Sequence, residues 1–549
     1  MLTNNANHYS TDYTTVFLVS LLIALSAWVL FFKLGAPNFY DIRLESRRAE
    51  ISRNMLEKGD WIVPQLAGEA ILTKPPLYFW AVALCSLKTG VDEFTARAPS
   101  AAFGIATVIF TFLLGSLLFN RKIGFYSALA LMVTNIFVDQ CRFAEMESML
   151  SFFITGAIYF FCRGYRTADN KKLWFALFFA MVGLGTMTKG PFAFTFPLIP
   201  ILLYLFMYRE HKLLVNKYFI SGLKYFFIII LPWIAVIIWL YPKFIAVFLW
   251  ETVAYYAEGY GHRNPFYYYF VVIGPALFPW IFFLPLSLWT AFSSRMRSVR
   301  KENVFLILCI FGNLLFLSFS KAKRDFYLTP LAPAAALLIG STWEALWEWL
   351  REKLPNNEVN LQRCCFIAGA VLAMISFITG NPFAINFPGK RFPDIASFLL
   401  FTGLCCMIVS LIKTLRPSVP AAKTAFAALV ALVIASQYLY LTFTIPIKNT
   451  CDSGAHFYTA LPALVKTQTP LAFFGTYANY ALSFYAHRPV IYLTEKEKVL
   501  SYMSAREKRY LVLSERFRTG FPDVPWKVIF KSMYSEHTAW GGYMLVSNQ

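Results

Sequence analysis

Charged residues are scarce in this chain of 549 residues, in which Asp, Glu, Lys and Arg together make up only 15%. Hydrophobic residues account for 58% and aromatic residues for 18%. So few charges cannot cover a solvated surface, which excludes the ordinary soluble globular classes. Apolar runs of about twenty residues, long enough to span a bilayer, recur along most of the chain. The composition therefore predicts an all-α polytopic membrane protein.

Several sequence signals are missing. The nine cysteines fall mostly inside apolar runs, without the spacing of a disulfide framework or a metal site, which indicates buried apolar side chains. The first residues lack a basic stretch, and no small-residue cleavage site follows the first apolar run, so we expect that run to be a retained anchor. The chain also has no P-loop, GxGxxG or HExxH motif.

The apolar runs predict about thirteen transmembrane spans. They are placed at Thr14–Phe32, Ser100–Phe119, Ile123–Val138, Met146–Phe161, Leu173–Met187, Pro191–Met207, Tyr225–Tyr241, Phe266–Phe292, Val304–Phe319, Tyr327–Leu346, Cys364–Thr379, Ile395–Ile412 and Thr424–Phe443.

The loops between these spans set the orientation. Lys and Arg concentrate in alternate short loops, as the positive-inside rule requires of cytoplasmic loops. This pattern predicts a cytoplasmic N-terminus, and an odd number of spans places the C-terminus outside. Two long segments, about residues 33–99 and 242–265, then lie on the outer side. The first contains an amphipathic stretch, Glu45–Glu57, that predicts a helix in the membrane interface.

The composition becomes that of a soluble protein after Pro446. Short β-like runs alternate there with polar or helical segments, at 471–474, 509–513, 526–530 and 543–546. We therefore predict two domains, a transmembrane domain over 1–446 and an extracytoplasmic α/β domain over 447–549.

Charged residues on the outer side need a reason other than the positive-inside rule. Four clusters qualify: Asp41 to Glu50, Arg142 to Glu147, the junction lysines Lys74 and Lys189, and Lys321 to Tyr327 with His262 and Arg263 as its partners. Taken singly, salt bridges, turn polarity and snorkelling lysines explain the first three. The fourth is a concentration of positive charge that suits a phosphate group anchored in lipid, although a general headgroup belt is the plain alternative.

The clusters together indicate group transfer from a lipid phosphate. A carboxylate can deprotonate or orient an acceptor, while Lys and Arg side chains stabilise the departing phosphate. Because the chain has no nucleotide motif, the donor must arrive already activated and linked to a lipid.

Ordered motifs over residues 14–345 carry a family resemblance. They are Glu45–Leu56, Gly59–Pro64, Lys74–Pro76, Arg97–Ser100, Arg142–Glu147, Gly185–Pro191, His262–Tyr269 and Lys321–Tyr327. In this order they resemble the superfamily of aminoarabinose lipid A transferases and protein O-mannosyltransferases. Those proteins are GT-C fold glycosyltransferases that use polyprenyl-phosphate sugars.

The resemblance implies a catalytic carboxylate in the first outer loop. The family's Asp-Glu pair aligns with Leu44 and Glu45, so the first acid is replaced here by leucine. Either Glu45 serves or a shifted loop brings Asp41 into place, and both assignments stay open. The second family acid aligns with Glu147. By resemblance, the residues that bind donor or lipid phosphates are Arg47, Lys74, Lys189, His262, Arg263, Lys321, Lys323, Arg324 and Tyr327.

The implied function is transfer of an aminoarabinose-like or other sugar from undecaprenyl-phosphate-sugar to a lipid A phosphate, with inversion, at the periplasmic face of a bacterial inner membrane. The cationic side chains can stabilise the leaving phosphate, so no metal is required. We expect a monomer whose partners are membrane lipids, the donor and lipid A, and not nucleic acid. The alternatives are transfer to protein or to another envelope glycan, and, in a different class, a flippase or transporter of lipid-linked sugars.

Overall fold

The structure is a computed structural model. It describes residues 13–39, 44–66, 68–253, 257, 259, 263–292, 299–353, 386–387, 390–391, 421–439, 441–442, 449, 454–465, 469–475, 479–521, 524–532 and 542–549.

The described residues up to 353 are mostly helical. The helices are α1 (Tyr13–Phe31), α2 (Glu45–Lys58), α3 (Leu77–Cys85), α4 (Glu93–Leu118), α5 (Arg121–Met132), α6 (Asn135–Arg142), α7 (Met146–Arg166), α8 (Lys171–Lys189), α9 (Phe192–Met207), α10 (Lys217–Leu240), α11 (Phe244–Val253), α12 (Tyr268–Ala276), α13 (Leu284–Ala291), α14 (Arg300–Ile307), α15 (Asn313–Phe319) and α16 (Ala332–Lys353). Helical turns of other types cover His211–Val215, Trp280–Phe283, Leu308–Gly312 and Asp325–Leu331.

Local sequence explains where key helices begin and end. Helix α4 opens with a capping box, in which the Asp92 carboxylate accepts a bond from the Thr95 amide (2.7 Å) and the Thr95 hydroxyl accepts one from the Asp92 amide (2.9 Å). Helix α2 ends at Gly59, whose φ of 72° is a conformation that glycine adopts without strain. These signals place the two helices on which the candidate site is built.

Five helical segments of the described chain are long and apolar enough to cross a bilayer. They are Tyr13–Phe31, Glu93–Leu118, Lys217–Leu240, Arg300–Phe319 and Asp325–Trp343, and the pair α5 and α6, bent by 62°, is a further candidate. The prediction of a helical, multi-pass membrane protein is confirmed. Helices α7, α8 and α9 also match predicted spans in their bounds, but they are short or carry charges at their ends. The predicted spans Cys364–Thr379 and Ile395–Ile412 lie outside the described residues.

Hydrogen bonds join the ends of several helices at two levels. At one level, the Arg142 guanidinium at the end of α6 donates to the carbonyls of Val29 (2.7 Å) and Phe32 (2.7 Å) at the end of α1. At the opposite level, Arg166 at the end of α7 donates to the Leu117 carbonyl near the end of α4 (2.6 Å). The first level also carries the acidic and basic clusters singled out from the sequence.

Helix α2 is present as predicted, but it is more deeply buried than a helix lying in the interface would be. Its apolar Ile51 and Met55 are buried, and so are its charged Arg48, Glu50 and Arg53. The charged face is covered because the C-terminal part of the chain packs against it.

The C-terminal part contains a mixed five-stranded sheet. Its strands are β5 (Leu471–Phe474), β6 (Ile491–Leu493), β7 (Tyr510–Ser514), β8 (Lys527–Lys531) and β9 (Tyr543–Ser547), in the order β6-β5-β7-β9-β8. Strands β5, β6 and β7 are parallel, and β9 is antiparallel to both β7 and β8. Short ladders elsewhere are β1 (Gln65–Leu66) with β2 (Glu69–Ala70) and β3 (Asn386–Phe387) with β4 (Lys390–Arg391).

Helices α17 (Ala421–Leu439), α18 (Ala455–Leu464), α19 (Tyr480–Tyr485), α20 (Lys496–Met503) and α21 (Glu515–Arg518) complete the described elements. Four strands lie within one residue of the predicted runs, and β6 was not predicted because it is only three residues long. Leu471 and Phe484 belong to the same apolar core as Phe39 and Ile51. The sheet is therefore packed onto the helical part, and the boundary at 447 stays a prediction.

Candidate active site

A buried ion pair connects the start of α2 to α4. The Glu45 carboxylate accepts bonds from Arg97 Nε (2.8 Å) and Nη2 (3.1 Å), and neither side chain is exposed. Glu45 Oε1 also accepts the Ala144 amide (2.8 Å). Both carboxylate oxygens of Glu45 are therefore occupied by donors of the protein itself.

Arg97 organises the chain before α2 as well. Its guanidinium donates to the carbonyls of Leu34 (3.1 Å), Pro37 (2.6 Å) and Asn38 (3.3 Å). It lies 5.2 Å from the ring centroid of Phe39, an arrangement that favours a cation. One side chain of α4 thus fixes the segment that leads out of α1 and the acid that opens α2.

The turn between α6 and α7 is the centre of the site. Arg48 of α2 donates to the Ala144 carbonyl (3.0 Å) and pairs with the Glu145 carboxylate (2.6 Å). The Ser100 hydroxyl of α4 donates to the Glu145 carbonyl (3.0 Å). Helices α2, α4 and α7 are joined through this turn, which explains the dense polarity of its sequence.

The carboxylate of Glu147, on the first turn of α7, contacts the ammonium of Lys189 at the end of α8. Lys189 Nζ also lies 4.5 Å from the ring centroid of Tyr327 and faces the rings of Phe192 and Phe326. The second oxygen of Glu147, Oε2, is buried and has no hydrogen-bond partner among the described residues. This oxygen is an acceptor that the fold leaves available.

Lys74 lies in the loop before α3, where positive charges outnumber negative ones. Burial, together with the nearby charges of Lys189, Arg47 and Arg48, lowers the pKa of Lys74 to about 8, while Glu147 acts in the opposite direction. In the described part of the chain, Lys74 makes no ion pair or hydrogen bond. A lysine in such surroundings is prepared for an anion that comes from outside the protein.

The second basic cluster brings two chain segments together. Arg263 pairs with Ala322 in an antiparallel bridge, and the Asn264 side chain donates to the Lys323 carbonyl (3.1 Å). Arg263, Asn264, Pro265 and Lys321 line an open cavity of about 390 Å³. The sequence prediction that the segments after positions 262 and 320 lie side by side is therefore met by the backbone.

The side chains of this basic cluster differ in their exposure to solvent. Lys321 and Arg263 are exposed, whereas Lys323 is buried and its ammonium donates to the carbonyls of Asn264 (3.1 Å) and Ser320. Burial lowers the pKa of Lys323. Its contacts hold the two segments together, so they suit a structural role more than direct ligand contact. Arg324 lies over the Phe326 ring, 5.4 Å from the centroid.

The structure thus gathers Glu45, Glu147, Arg47, Lys74, Lys189 and Tyr327 around the α6–α7 turn, and it places Arg263, Lys321, Lys323 and Arg324 in the adjoining bridge. Asp41 and His262 lie outside the described residues. The sequence reasoning assigned no role to Arg97, Arg48 or Glu145. The signal available for Arg97 was its place in the outer segment, three residues before the predicted span Ser100–Phe119, because charged residues on the outer side need a reason other than the positive-inside rule.

Within the described ranges, no group of three His, Cys, Asp or Glu side chains could hold a metal ion.

The chain is similar to known proteins in both sequence and fold. Residues 39–251 match the family described as dolichyl-phosphate-mannose-protein mannosyltransferase. The chain is 29% identical, over 61% of its length and 60% of the relative's, to the undecaprenyl phosphate-alpha-4-amino-4-deoxy-L-arabinose arabinosyl transferase of Yersinia enterocolitica. It is 30% identical to an uncharacterized protein of Aquifex aeolicus, over 58% of this chain and 62% of the other. The chain therefore spans about three fifths of the length of these curated relatives.

The fold is shared more widely than the sequence. The crystal structure of ArnT from Cupriavidus metallidurans bound to undecaprenyl phosphate matches with a TM-score of 0.75 at 18% identity, over 97% of this chain and 98% of that one. The family resemblance predicted from the ordered motifs is confirmed. Residues 39–251 match the model of the dolichyl-phosphate-mannose-protein mannosyltransferase family, and the chain shares the fold of the ArnT crystal structure.

Proposed function

We propose that this chain is a membrane glycosyltransferase that moves a sugar from undecaprenyl-phosphate-sugar to a phosphate of lipid A. The observation that carries the proposal is the set of cations around Glu147, in which Lys74 has three cationic neighbours and no partner of its own among the described residues. Such a site fits the phosphate of a lipid-linked donor. The names of the Yersinia relative and of the Cupriavidus structure support this donor and an aminoarabinose as its sugar.

The reaction needs no more than displacement at one carbon. An oxygen of the acceptor phosphate attacks C1 of the sugar, and the bond between C1 and the donor phosphate oxygen breaks. The electron pair leaves with undecaprenyl phosphate, whose added negative charge is stabilised by Lys74 and the neighbouring arginines. Attack from the face opposite the leaving group inverts the configuration at C1. Any proton on the attacking oxygen passes to a carboxylate of the site.

We assign that carboxylate to Asp41 and a positioning role to Glu45. Both oxygens of Glu45 already accept hydrogen bonds from Arg97 and the Ala144 amide, which leaves little room for an acceptor. Asp41 is the other candidate for the catalytic carboxylate that the family resemblance leaves open.

Glu147 holds Lys189 in place with one oxygen. Its buried second oxygen, Oε2, has no hydrogen-bond partner among the described residues, and it suits a hydroxyl or ammonium group of the sugar.

The finer topology is also a proposal. We infer thirteen spans, a cytoplasmic N-terminus, a periplasmic α/β domain over 447–549 and a monomeric enzyme. The alternation of basic loops along the sequence and the gathering of α1, α6, α7 and α8 ends at one level support this orientation. Arg47, Arg263, Lys321 and Arg324 then lie on the periplasmic side as further phosphate ligands, and the family resemblance adds His262 to this set.

Mass spectrometry of lipid A tests the proposal. We expect lipid A from cells that express this chain, in a host that makes several undecaprenyl-phosphate sugars, to gain the mass of one sugar. Cells that express the Lys74→Ala variant at the same level are the control and should show little of this product. Unmodified lipid A with confirmed expression and a working panel of donors would contradict the acceptor. Transfer to protein hydroxyls is then the next reading, because the matched family is named for protein mannosyltransferases.

Donor affinity should depend on pH through Lys74. Because the pKa of Lys74 in the folded protein is lowered to about 8, its positive charge is present below that pH and is lost as the pH rises through it. A bound anion stabilises the protonated form, so the dissociation constant for the donor should rise by up to about tenfold per pH unit above 8. The donor diester does not titrate in this range, and direct binding between pH 6 and 10 measures the effect.

The matched control for this pH profile is Lys74→Arg, whose guanidinium keeps its charge over the whole range. The neighbouring groups are Lys189, Arg47, Arg48 and Glu147, all of which are unchanged in this variant. A flat profile for Lys74→Arg beside a falling one for the wild type supports the assignment. Identical profiles would contradict it.

A further inference from the structure

The C-terminal part of the chain contacts the site at both described flanks of residues 40–43. On one flank, the Phe39 amide donates to the Tyr485 hydroxyl (2.8 Å), and this hydroxyl donates to the Glu93 carboxylate at the start of α4 (2.6 Å). The Phe39 ring meets the Phe484 ring edge-on, with centroids 4.9 Å apart. Helix α19 thus binds the chain before the candidate acids to the helix that carries Arg97.

The other flank is helix α2. Arg53 donates to the carbonyls of Phe484 (2.9 Å) and Ser483 (3.4 Å), and its guanidinium lies 4.6 Å from the centroid of the Phe484 ring. It also contacts the Glu50 carboxylate of its own helix. Because Arg53 is buried, these bonds are formed in a site from which water is largely excluded.

A third contact with the C-terminal part of the chain lies just before Phe39. The Asn449 side chain accepts the Asn38 amide (3.0 Å) and donates to the Ala36 carbonyl (2.7 Å). Residues 36–39 therefore receive bonds from Arg97 on one side and from the C-terminal part of the chain on the other.

We infer that α19 is a clamp that positions the first outer loop for the reaction, with Tyr485 and Arg53 as its positioning residues. The inference rests on the proposed function, since it assigns these residues to the same transfer step. Neither residue needs to touch the substrate. Tyr485 fixes Phe39 relative to α4, and Arg53 fixes α2. Both candidate acids, Asp41 and Glu45, lie between Phe39 and Arg53 in the sequence.

The chemistry of the contacts argues for positioning over simple adhesion. Adhesion between the two parts of the chain is already provided by apolar packing, in which Phe39, Phe484 and Tyr485 take part. The Tyr485 hydroxyl and the Arg53 fork add directional bonds to backbone groups, and such bonds fix distance and angle. Misplacement of a reacting group by about 1 Å can cost about 10²-fold in rate.

Tyr485→Phe is the sharpest test, because it keeps the ring and removes only the hydroxyl. We expect the kcat for sugar transfer to fall about 10- to 100-fold, with the KM for the donor unchanged. Hydrogen exchange should rise in peptides that cover residues 36–39 and α2, and not in β7 or β9. The control is Tyr492→Phe, which removes a hydroxyl that donates to the Asn479 carbonyl (2.8 Å) within the C-terminal part.

Arg53 gives an independent second test. Arg53→Ala should lower kcat by a similar factor. Arg53→Lys should restore part of the lost kcat, because lysine keeps the charge but lacks the planar guanidinium with its several N–H donors. Wild-type kcat in both Tyr485→Phe and Arg53→Ala would overturn the inference. So would equal losses in Tyr485→Phe and Tyr492→Phe, since that result would indicate general destabilisation. If the wild type is inactive with every donor, the result contradicts the proposed function. Failure of the clamp alone differs from this, because the wild type is then active.

Discussion

Asp41→Asn is expected to lower the kcat for sugar transfer by about 10²- to 10⁴-fold, the usual contribution of a group that accepts or orients a proton in the reaction. We assign the proton to Asp41 because the other candidate acid, Glu45, is buried and both of its carboxylate oxygens already accept hydrogen bonds from the protein. Expression, the unfolding midpoint and binding of undecaprenyl phosphate should stay at wild-type values. Steady-state kinetics of the purified variant in detergent or nanodiscs measures the effect.

The control for this result lies in the same loop. Leu44 occupies the position at which the family has an aspartate, and Leu44→Asp restores that acid. If the carboxylate of residue 41 does the work in this chain, the combination Leu44→Asp with Asp41→Asn should recover part of the lost activity. Full activity of Asp41→Asn by itself would exclude the assignment and return Glu45 to the catalytic role.

Glu45→Gln is expected to cost about 3–5 kcal/mol of stability, because it leaves the Arg97 guanidinium buried without its counter-charge. A catalytic acid would behave in the opposite way, with normal stability and lost turnover. The midpoint of thermal or chemical unfolding in a fixed detergent measures the difference.

An exposed pair on the same chain supplies the matched control. Glu495 pairs with Lys498 at 2.8 Å, and its side chain is 56% exposed. Glu495→Gln should therefore change stability by about 0–1 kcal/mol. Equal unfolding midpoints for Glu45→Gln and Glu495→Gln would show that the Glu45–Arg97 pair does not stabilise the fold, and the positioning role of Glu45 would fall with it.

The sequence predicted the architecture well where a single physical rule applies. Apolar length gave the bounds of α1 to within one residue, and helical periodicity with flanking charges gave α2. Short β-like runs between polar or helical segments predicted strands β5, β7, β8 and β9. These rules act over short stretches of chain, so a sequence without relatives is sufficient to apply them.

The sequence predicted which residues belong to the site, but it did not predict the hydrogen bonds and ion pairs between them. Charge on the outer side singled out Glu45, Glu147, Lys74 and Lys189, but it did not distinguish an occupied carboxylate from an available one. That distinction depends on Arg97, which lies 52 positions from Glu45 in the chain. Pairings over such distances follow from how helices pack, and no periodicity in the sequence encodes them.

The bond between Phe39 and Tyr485 spans 446 positions of sequence, which has a consequence for biosynthesis. A ribosome that adds about 5–20 residues per second needs roughly 20–90 s to travel from the first partner to the second. During this interval Phe39 has been made, while the helix that completes its hydrogen bonds has not. The hydrogen bond that holds Phe39 therefore cannot form until the ribosome has reached Tyr485, when most of the chain has already been made.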